Sequence, residues 1–190
     1  MYLRPITSAD TDKIVTWRNQ DFVWKNFIYQ KPFTREGHET WLKEQVEPGH
    51  VVQFIICVAD TDAERDMDCR ADAKDGSREI GSVYLRDIDR KKGEAEFGIF
   101  IGERDALGKG YGTQAAKLML DYGFDKIRLQ KIFLRLLEDN PRALKSYEKT
   151  GFQLIKNKRK TVDLQQGECV VLFMEINCRQ WKEIKEKKKK

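Results

Sequence analysis

A glycine-rich turn that precedes an amphipathic helix constrains this chain more than any other segment. Between Leu107 and Thr113 a glycine occupies every second position, and glycine adopts positive φ without a Cβ that could block a ligand. Across residues 114–125 the apolar side chains recur with a roughly 3.6-residue period, which predicts a helix. The first turn of such a helix presents unpaired N–H groups and the positive end of its dipole. This arrangement predicts a cradle for a pyrophosphate.

The spacing of these glycines separates the segment from two common phosphate loops. The P-loop requires Gly-x-x-x-x-Gly-Lys-Ser/Thr, and the dinucleotide fingerprint requires Gly-x-Gly-x-x-Gly. Neither pattern is present, because Gly108, Gly110 and Gly112 alternate with Lys109 and Tyr111. The cradle is therefore expected to belong to neither of these two classes.

A second motif follows a predicted strand at residues 131–138. Residues 140–150 are predicted to form a helix, with Asn140 as its N-cap, Pro141 as its first residue and Gly151 as the cap beyond its end. A capping side chain can also face a ligand. The motif therefore allows a structural and a binding role at the same residue.

Together the two motifs resemble those of the GCN5-related N-acetyltransferase (GNAT) family. Gly110 and Gly112 fill the small positions of the family's Gln/Arg-x-x-Gly-x-Gly/Ala loop, and Leu107 stands where Gln or Arg is usual. Residues 140–152 match the pattern Asn-x-x-Ala-x-x-x-Tyr-x-Lys-x-Gly-Phe at every defined position. The resemblance is good over residues 80–178 and implies transfer of an acetyl group from acetyl-coenzyme A to an amine.

The resemblance also implies which residues hold the coenzyme. Main-chain groups of the glycine loop grip its pyrophosphate, Asn140 bonds its pantetheine arm, and backbone freed near the end of a splayed strand pairs with that arm. Tyr147 is implied to lie beside the coenzyme sulfur and to donate a proton to the leaving thiolate. The coenzyme-binding residues predicted in this way are Phe100, Ile101, Gly108, Lys109, Gly110, Tyr111, Gly112, Thr113, Asn140, Ala143 and Lys145.

Two predicted N-terminal helices and the loop between them are implied to form one side of the acceptor site. The loop region mixes aromatic and polar residues, and we predict Arg18, Trp24 and Tyr29 as substrate-binding residues. The segments around Arg18 and His38 resemble ribosomal-protein N-terminal acetyltransferases and amino-sugar acetyltransferases, whereas residues 95–152 resemble spermidine acetyltransferases. An amino-sugar nucleotide, a protein N-terminus and a polyamine all remain open as acceptors. Arginine and aromatic side chains favour the first two.

Amine acetylation requires removal of a proton from the acceptor. An alkyl ammonium with a pKa near 10.4 is protonated roughly 2500-fold over its neutral form at pH 7. Period-two alternation places Glu96 beside Phe100 on one face of a predicted strand at residues 94–102, and Glu96 is the predicted catalytic base. Asp87 and Asp89 are competing candidates, and a water relay is another route. The structural alternative for Glu96 is an ion pair with a lysine or arginine.

The predicted elements run strand, two helices, three strands, helix, strand, helix and two strands, which indicates an α/β (α+β) fold. The resemblance implies a mixed, mostly antiparallel sheet of six to seven strands, splayed at its centre and flanked by about four helices. We predict one domain at residues 1–180, a mobile hairpin insertion at residues 60–79 and a basic tail at residues 181–190. The insertion is acidic, but it lacks the glycine and glutamate that an EF-hand loop requires.

Composition argues against several other classes of protein. The net charge is +5, but six lysines follow Trp181, so the body of the domain lacks the basic surface of a nucleic-acid binder. No apolar run approaches the ~20 residues that span a bilayer, and no signal peptide is recognisable. We therefore predict a cytoplasmic protein without nucleic-acid or membrane partners. The four cysteines and two histidines show no metal-ligand spacing, which predicts no metal.

Two further questions stay open at this point. Dimers are common in the resembled family, so a homodimer is one expectation for the assembly. The alternative to an enzyme is a non-catalytic domain that binds acetyl-coenzyme A as a sensor, or an interaction module that uses the lysine tail. Release of thiol from the coenzyme in the presence of amines distinguishes the enzyme from both.

Overall fold

A computed structural model describes residues 1–59, 76–165 and 167–187, which form seven strands and six α-helices. The strands are β1 (Tyr2–Pro5), β2 (Val52–Ala59), β3 (Ser77–Asp89), β4 (Glu94–Ile101), β5 (Lys131–Leu137), β6 (Gln153–Leu164) and β7 (Gly167–Asn177). The helices are α1 (Thr11–Arg18), α2 (Asp21–Trp24), α3 (Arg35–Trp41), α4 (Tyr111–Asp121), α5 (Pro141–Thr150) and α6 (Cys178–Lys187). A wider π-helical turn continues α3 over Leu42–Val46 and α4 over Tyr122–Lys126.

The strands form one sheet in the order β1-β2-β3-β4-β5-β7-β6. Neighbouring strands are antiparallel except β4 and β5, which are parallel. Their pairing covers only residues 94–96 against residues 131–133, and beyond it the two strands separate. Residues 97–101 of β4 therefore have one edge that no described strand pairs with. The predicted mixed, mostly antiparallel sheet with a central splay is confirmed.

Hydrophobic cores lie on both faces of β4, as its alternating sequence predicts. Ala95 and Phe97 belong to the larger core, which Met119 of α4 also enters. Phe100 belongs to the smaller core together with Trp17 of α1. Helices therefore cover both faces of the sheet, and the splay between β4 and β5 lies between these two layers.

The structure has two helices beyond the four that the sequence predicts. One is α2, whose four residues are too few to show a helical period. The other is α6, which shows that the predicted tail at residues 181–190 is wrong up to residue 187. Trp181 of α6 is buried, and its Nε1 donates a hydrogen bond to Asp121 Oδ1 at 3.0 Å. Lys185 Nζ pairs with Asp121 at 2.8 Å and with Asp125 at 3.0 Å, so basic residues anchor this helix to the end of α4.

Parts of two predicted segments lie outside the described residues. The predicted insertion at residues 60–79 falls there up to residue 75, and from Ser77 onward the chain already forms β3 and pairs with the end of β2. Residues 188–190 of the predicted tail fall there as well. Among the helices of the described ranges, none has the length and apolar character needed to cross a membrane.

Candidate active site

A cavity of about 490 Å³ opens where β4 and β5 separate. One side, which we call the glycine wall, consists of residues 108–113 before and within α4 and residues 140–147 of α5. The other side, which we call the arginine wall, consists of Arg18, Tyr29, Arg86, Glu96 and Arg135. Every site residue predicted from the sequence lines this cavity except Lys109 and Trp24. The two sequence motifs and the predicted acceptor residues thus meet at one place.

The glycine wall begins with a turn that presents free N–H groups. Gly108 and Gly110 have φ angles of 78° and 83°, a left-handed conformation that favours glycine, and Gly110 is the N-cap of α4. Among the described residues, no oxygen accepts a hydrogen bond from the backbone N–H groups of residues 110–113. A Cβ added at Gly108, Gly110 or Gly112 would meet no neighbouring heavy atom within 4 Å. Free donors at the positive end of a helix, beside open space, fit a pyrophosphate.

Helix α5 adds positive charge to the same wall. Arg142, Lys145 and Lys149 line the cavity and offer cationic partners for phosphate groups. The hydroxyls of Thr113 and Ser146 share a hydrogen bond of 2.8 Å, which ties the first turn of α4 to α5. The donors of both helices are therefore held in one fixed arrangement.

The unpaired edge of β4 forms the floor between the two walls. Residues 98–101 line the cavity, and the edge that β5 leaves free carries backbone N–H and C=O groups. Such groups need hydrogen-bond partners when water is excluded from them. An extended ligand arm that contains amides can pair with this edge as an added strand would. Phe100 and Ile101 therefore lie where the sequence predicts contact with a pantetheine arm.

Asn140 caps α5 as predicted. Its Oδ1 accepts a hydrogen bond from the backbone N–H of Ala143 at 3.1 Å, Pro141 follows as the first helical residue, and Gly151 ends the helix with a φ of 115°. Its Nδ2 donates to Asn26 Oδ1 at 2.8 Å, which ties α5 to the loop after α2. An amide nitrogen carries two hydrogens, so one donor of Asn140 remains for a ligand. The capping role is confirmed, and the contact with pantetheine stays a prediction.

Tyr147 lies in the cavity wall between α5 and β4. Its ring packs edge-on against Phe97 and Phe152, with centroids 6.0 Å apart in each pair. Burial raises the pKa of its phenol above the usual value, and the nearby Tyr84 contributes to the rise. The hydroxyl therefore keeps its proton at neutral pH. No described residue forms a hydrogen bond with it, so it can donate to an anion that develops in the cavity.

Glu96 lies in the arginine wall with both carboxylate oxygens occupied. The residue is only 5% exposed. Its Oε1 accepts hydrogen bonds from Arg86 Nη2 and Arg135 Nε, each at 2.9 Å. Oε2 accepts from Arg135 Nη2 at 2.9 Å. These three bonds use three of the about four acceptor sites of the carboxylate, so an amine proton has only the remaining site on Oε2. The ion pair that the sequence offered as the alternative is present, while the role of general base stays a prediction.

Arg18 and His38 occupy the same half of the cavity. The Arg18 guanidinium lies over the rings of Phe27 and Phe33, 4.2 Å from each centroid, and its Nε is buried without a hydrogen-bond partner. His38 is 1% exposed, its Nδ1 lies 3.1 Å from Thr11 Oγ1, and its Nε2 has no partner. Burial and the charge of Arg18 lower the pKa of His38 to about 4. The imidazole is therefore uncharged at neutral pH.

Two predicted contact residues lie outside the cavity lining. Trp24 is half-buried elsewhere, because successive helical residues are about 100° apart and α2 gives Phe22 and Val23 to the cavity instead. The side chain of Lys109 is exposed between the two left-handed glycines of the turn. A contact of Lys109 with a pyrophosphate is thus left to its backbone.

The two competing candidates for the base are also outside the lining. Asp87 has a side chain that is 73% exposed at the end of β3. The Oδ1 of Asp89 accepts hydrogen bonds from the backbone N–H groups of Lys91 and Lys92, each at 3.0 Å, and thereby stabilises the turn before β4. Within the described residues, no three His, Cys, Asp or Glu side chains form a group suited to a metal ion.

Sequence reasoning missed several residues of the cavity, among them Tyr84, Arg86 and Arg135. Tyr84 pairs across the sheet with Gly98, and a Cβ at Gly98 would overlap the Tyr84 ring at 2.2 Å. Glycine at that position thus makes room for the tyrosine in the floor of the cavity. The available signal was that Arg86 directly follows a largely apolar stretch of β3 and that Arg135 interrupts the apolar run of β5, since a charged group buried in a sheet needs a partner or a ligand.

Comparison with known proteins agrees with this geometry. The acetyltransferase (GNAT) domain family matches residues 1–153. A protein of Methanocaldococcus jannaschii is 28% identical over 158 residues, which cover 83% of this chain and 29% of that protein. The spermidine N(1)-acetyltransferase of Escherichia coli K12 is 40% identical over 80 residues, which cover 42% of each chain. The matches thus span less than half the length of these two relatives.

A solved structure shows the same fold over nearly the whole chain. It is that of spermidine N-acetyltransferase from Vibrio cholerae in complex with CoA and spermine, with a TM-score of 0.78 and 23% sequence identity. The match covers 95% of this chain and 96% of that chain. The likeness therefore extends over both walls of the cavity.

Proposed function

Because this chain belongs to the GNAT acetyltransferase family, we propose that it moves the acetyl group of acetyl-coenzyme A to a primary amine by direct attack in a ternary complex. One observation carries the proposal. The free N–H groups of residues 110–113 open onto a cavity that continues past the unpaired edge of β4 to the hydroxyl of Tyr147. A phosphate grip, a slot for an amide-containing arm and a proton donor thus line one cavity.

The glycine wall would hold the coenzyme. The N–H groups of residues 110–113 bond the pyrophosphate oxygens, and Lys145 and Arg142 balance the charge of the phosphates. Asn140 and the edge of β4 near Phe100 hold the pantetheine arm. Acetyl-coenzyme A supplies an acyl group activated as a thioester, and the residues above fix the position of that group against the acceptor.

Tyr147 would act on the leaving sulfur. The amine nitrogen forms a bond to the thioester carbonyl carbon, the carbon–sulfur bond breaks, and the thiolate takes up one proton while the amine loses one. The Tyr147 hydroxyl donates a hydrogen bond or a proton to the sulfur as its charge develops. Backbone N–H groups on the edge of β4 polarise the carbonyl oxygen, as in an oxyanion hole.

The acceptor amine has to lose its proton before it attacks, and the arginine wall would favour that loss. Positive charge nearby disfavours an ammonium ion and so lowers the pKa of an amine bound beside Arg18, Arg86 and Arg135. Glu96 Oε1 already accepts hydrogen bonds from Arg86 and Arg135, and Oε2 accepts one from Arg135. We therefore assign deprotonation to a water relay helped by this positive field, and Glu96 to the support of the wall.

The nature of the acceptor is a separate part of the proposal. The spermidine acetyltransferases among the relatives support a polyamine, whereas Arg18 and the aromatic side chains around it support an amino-sugar nucleotide or a peptide terminus. A homodimer and a cytoplasmic location stay predictions.

Release of thiol from acetyl-coenzyme A tests the proposal. We expect release that depends on an added primary amine and yields one N-acetyl product per thiol, measured against a panel of polyamines, amino sugars and short peptides. Coenzyme binding without turnover of any amine would support the alternative function, a sensor of acetyl-coenzyme A. Absence of coenzyme binding would contradict both.

A further inference from the structure

The arginine wall carries more positive than negative charge. Arg18, Arg86 and Arg135 line this part of the cavity, and Glu96 is the only carboxylate among the described residues that line it anywhere. Glu96 pairs with both Arg86 and Arg135, so one negative charge is shared between two guanidinium groups. Asp87, which is mostly exposed, also lies 3.7 Å from Arg86, so Arg18 is the arginine of this wall that no described carboxylate pairs with.

Arg18 is the arginine of this wall without a carboxylate partner in the described ranges. Its guanidinium stacks between two phenylalanine rings, which hold the plane in place but accept no hydrogen bond from its edge. Its Nε is buried and unpaired. Tyr84 offers its phenol to the guanidinium as a hydrogen-bond partner, but no carboxylate among the described residues balances the charge, and a buried charge without an anion is costly.

The neighbouring groups do not supply that anion. His38 is uncharged and lies close enough for the charge of Arg18 to lower its pKa. Tyr84 contributes a phenol to the same region, and Arg86 adds a second positive charge. The polar partner that the described residues offer Arg18 is thus a phenol, and the charge that acts on it is the positive one of Arg86.

We infer that the acceptor amine also carries an anionic group, a phosphate or a carboxylate, and that Arg18 binds this group while the amine faces the coenzyme. The inference rests on the proposed acetyl transfer and narrows its acceptor class. A planar guanidinium suits both anions, because it offers two parallel N–H donors to two oxygens. A polyamine, which is positive along its length, would meet repulsion at the same place.

A second cavity extends the space in which such an acceptor could lie. It measures about 240 Å³ and shares Tyr29 and Arg135 with the main cavity. Arg135 Nη1 donates a hydrogen bond to the Tyr29 hydroxyl at 3.2 Å, so the two residues form the partition between the cavities. Lys160 and Asp163, which carry opposite charges, also line this second cavity. An acceptor with a body larger than an alkyl amine has room beyond the arginine wall.

The test compares amines that differ in one anionic group. Glucosamine 1-phosphate is paired with glucosamine, 4-aminobutyrate with butylamine, and spermidine is the polycation. The full chain is saturated with CoA so that the phosphate grip is filled, and Kd is measured for each amine by calorimetry. The kcat/KM for thiol release is measured with acetyl-coenzyme A. We expect at least about tenfold tighter binding of the anionic member of one pair, and that pair identifies phosphate or carboxylate.

Substitution of Arg18 tests whether this residue causes the preference for the anionic amine. Arg18→Gln is expected to reduce the preference to less than about threefold, and Arg18→Lys to leave part of it, since the charge remains but the paired donors are lost. Arg104→Gln is the matched control: the Arg104 guanidinium also stacks on a phenylalanine, 4.3 Å from the Phe22 centroid, but Arg104 does not line the cavity. The control is expected to keep the full preference.

The outcomes separate this inference from the proposed function. Thiol release that favours spermidine, or a preference for the anion that Arg18→Gln and Arg18→Lys leave unchanged, would overturn the inference and leave acetyl transfer standing. Equal binding within both pairs by the unsubstituted protein would also overturn it. Tight, Arg18-dependent binding of an anionic amine without thiol release would support the inference and contradict the transferase.

Discussion

The glycine wall and the arginine wall face one another across the same cavity, but they are built from different parts of the polypeptide. The glycine wall consists of two continuous segments, residues 108–113 and residues 140–147, and the donors of its turn, at residues 110–113, belong to the backbone. The arginine wall is assembled from side chains on α1, the loop after α2, β3, β4 and β5, and Glu96 pairs with two of its three arginines. Binding to the first wall can thus change without loss of the fold, whereas the second wall is also part of the core.

The largest expected effect is on catalysis, from a change in the glycine wall that removes one hydroxyl and leaves the packing intact. Tyr147→Phe removes the hydroxyl but keeps the ring that packs on Phe97 and Phe152. We expect kcat to fall by roughly 100-fold or more, in the range of general acid catalysis, with Kd for CoA and the free energy of unfolding unchanged. Steady-state kinetics, calorimetry and denaturation measure the three quantities. Turnover equal to that of the unsubstituted protein would remove Tyr147 from the mechanism.

The next largest effect is on stability, from the loss of the ion pairs in the arginine wall. Glu96→Gln leaves two poorly exposed guanidinium groups without their shared carboxylate, so we expect a loss of about 3 kcal/mol in the free energy of unfolding. Glu94→Gln is the control on the same strand. It breaks the more exposed pair with Lys131 and is expected to cost less than about 1 kcal/mol.

The Glu96→Gln variant also tests whether Glu96 is the general base. If Glu96 supports the wall, the acid limb of the profile of kcat/KM against pH persists in Glu96→Gln at reduced height. Disappearance of that limb, together with a stability close to that of Glu94→Gln, would instead identify Glu96 as the general base.

Acid sensitivity is expected from His38, which lies in the same half of the cavity as Arg18 of the arginine wall. The pKa of His38 is lowered to about 4 in the folded chain, against about 6.5 when unfolded. Because the unfolded chain takes up the proton first, stability falls as pH drops from about 6.5 to 4, by roughly 2 to 3 kcal/mol. Denaturant unfolding across this range measures it. His38→Gln should flatten that part of the curve, whereas a change at the exposed His50 should not.

The smallest expected effect on stability has the opposite sign. Gly112→Ala places a methyl group in open space at the first turn of α4, where it meets no protein atom within 4 Å. Alanine in a helix is about 0.5 to 1 kcal/mol more favourable than glycine, so the free energy of unfolding should rise slightly. The methyl group would intrude on the pyrophosphate, and Kd for CoA should increase by about tenfold or more. Unchanged affinity would show that the coenzyme does not approach this turn.

The difference between the walls also explains how much the sequence could predict. The turn from Gly108, the caps at Asn140 and Gly151, and the alternation along β4 are local patterns, and the structure confirms the elements that they predict. Arg86 and Arg135 come together only because β3 and β5 flank β4, and no local pattern states that pairing. Helix α6 could not be predicted because its lysine-rich sequence is typical of a solvated tail. Its anchors, Asp121 and Asp125, are distant in the sequence and contact Lys185 only in the folded chain.

The central claim is that backbone amides at the start of α4 hold the coenzyme. Its most direct test is the set of backbone N–H resonances of residues 110–113, followed by NMR as CoA, and separately pantetheine without its pyrophosphate, is added to saturation. The account predicts large shifts of these amides with CoA and little change with pantetheine. Resonances that stay in place in the presence of bound CoA would contradict it.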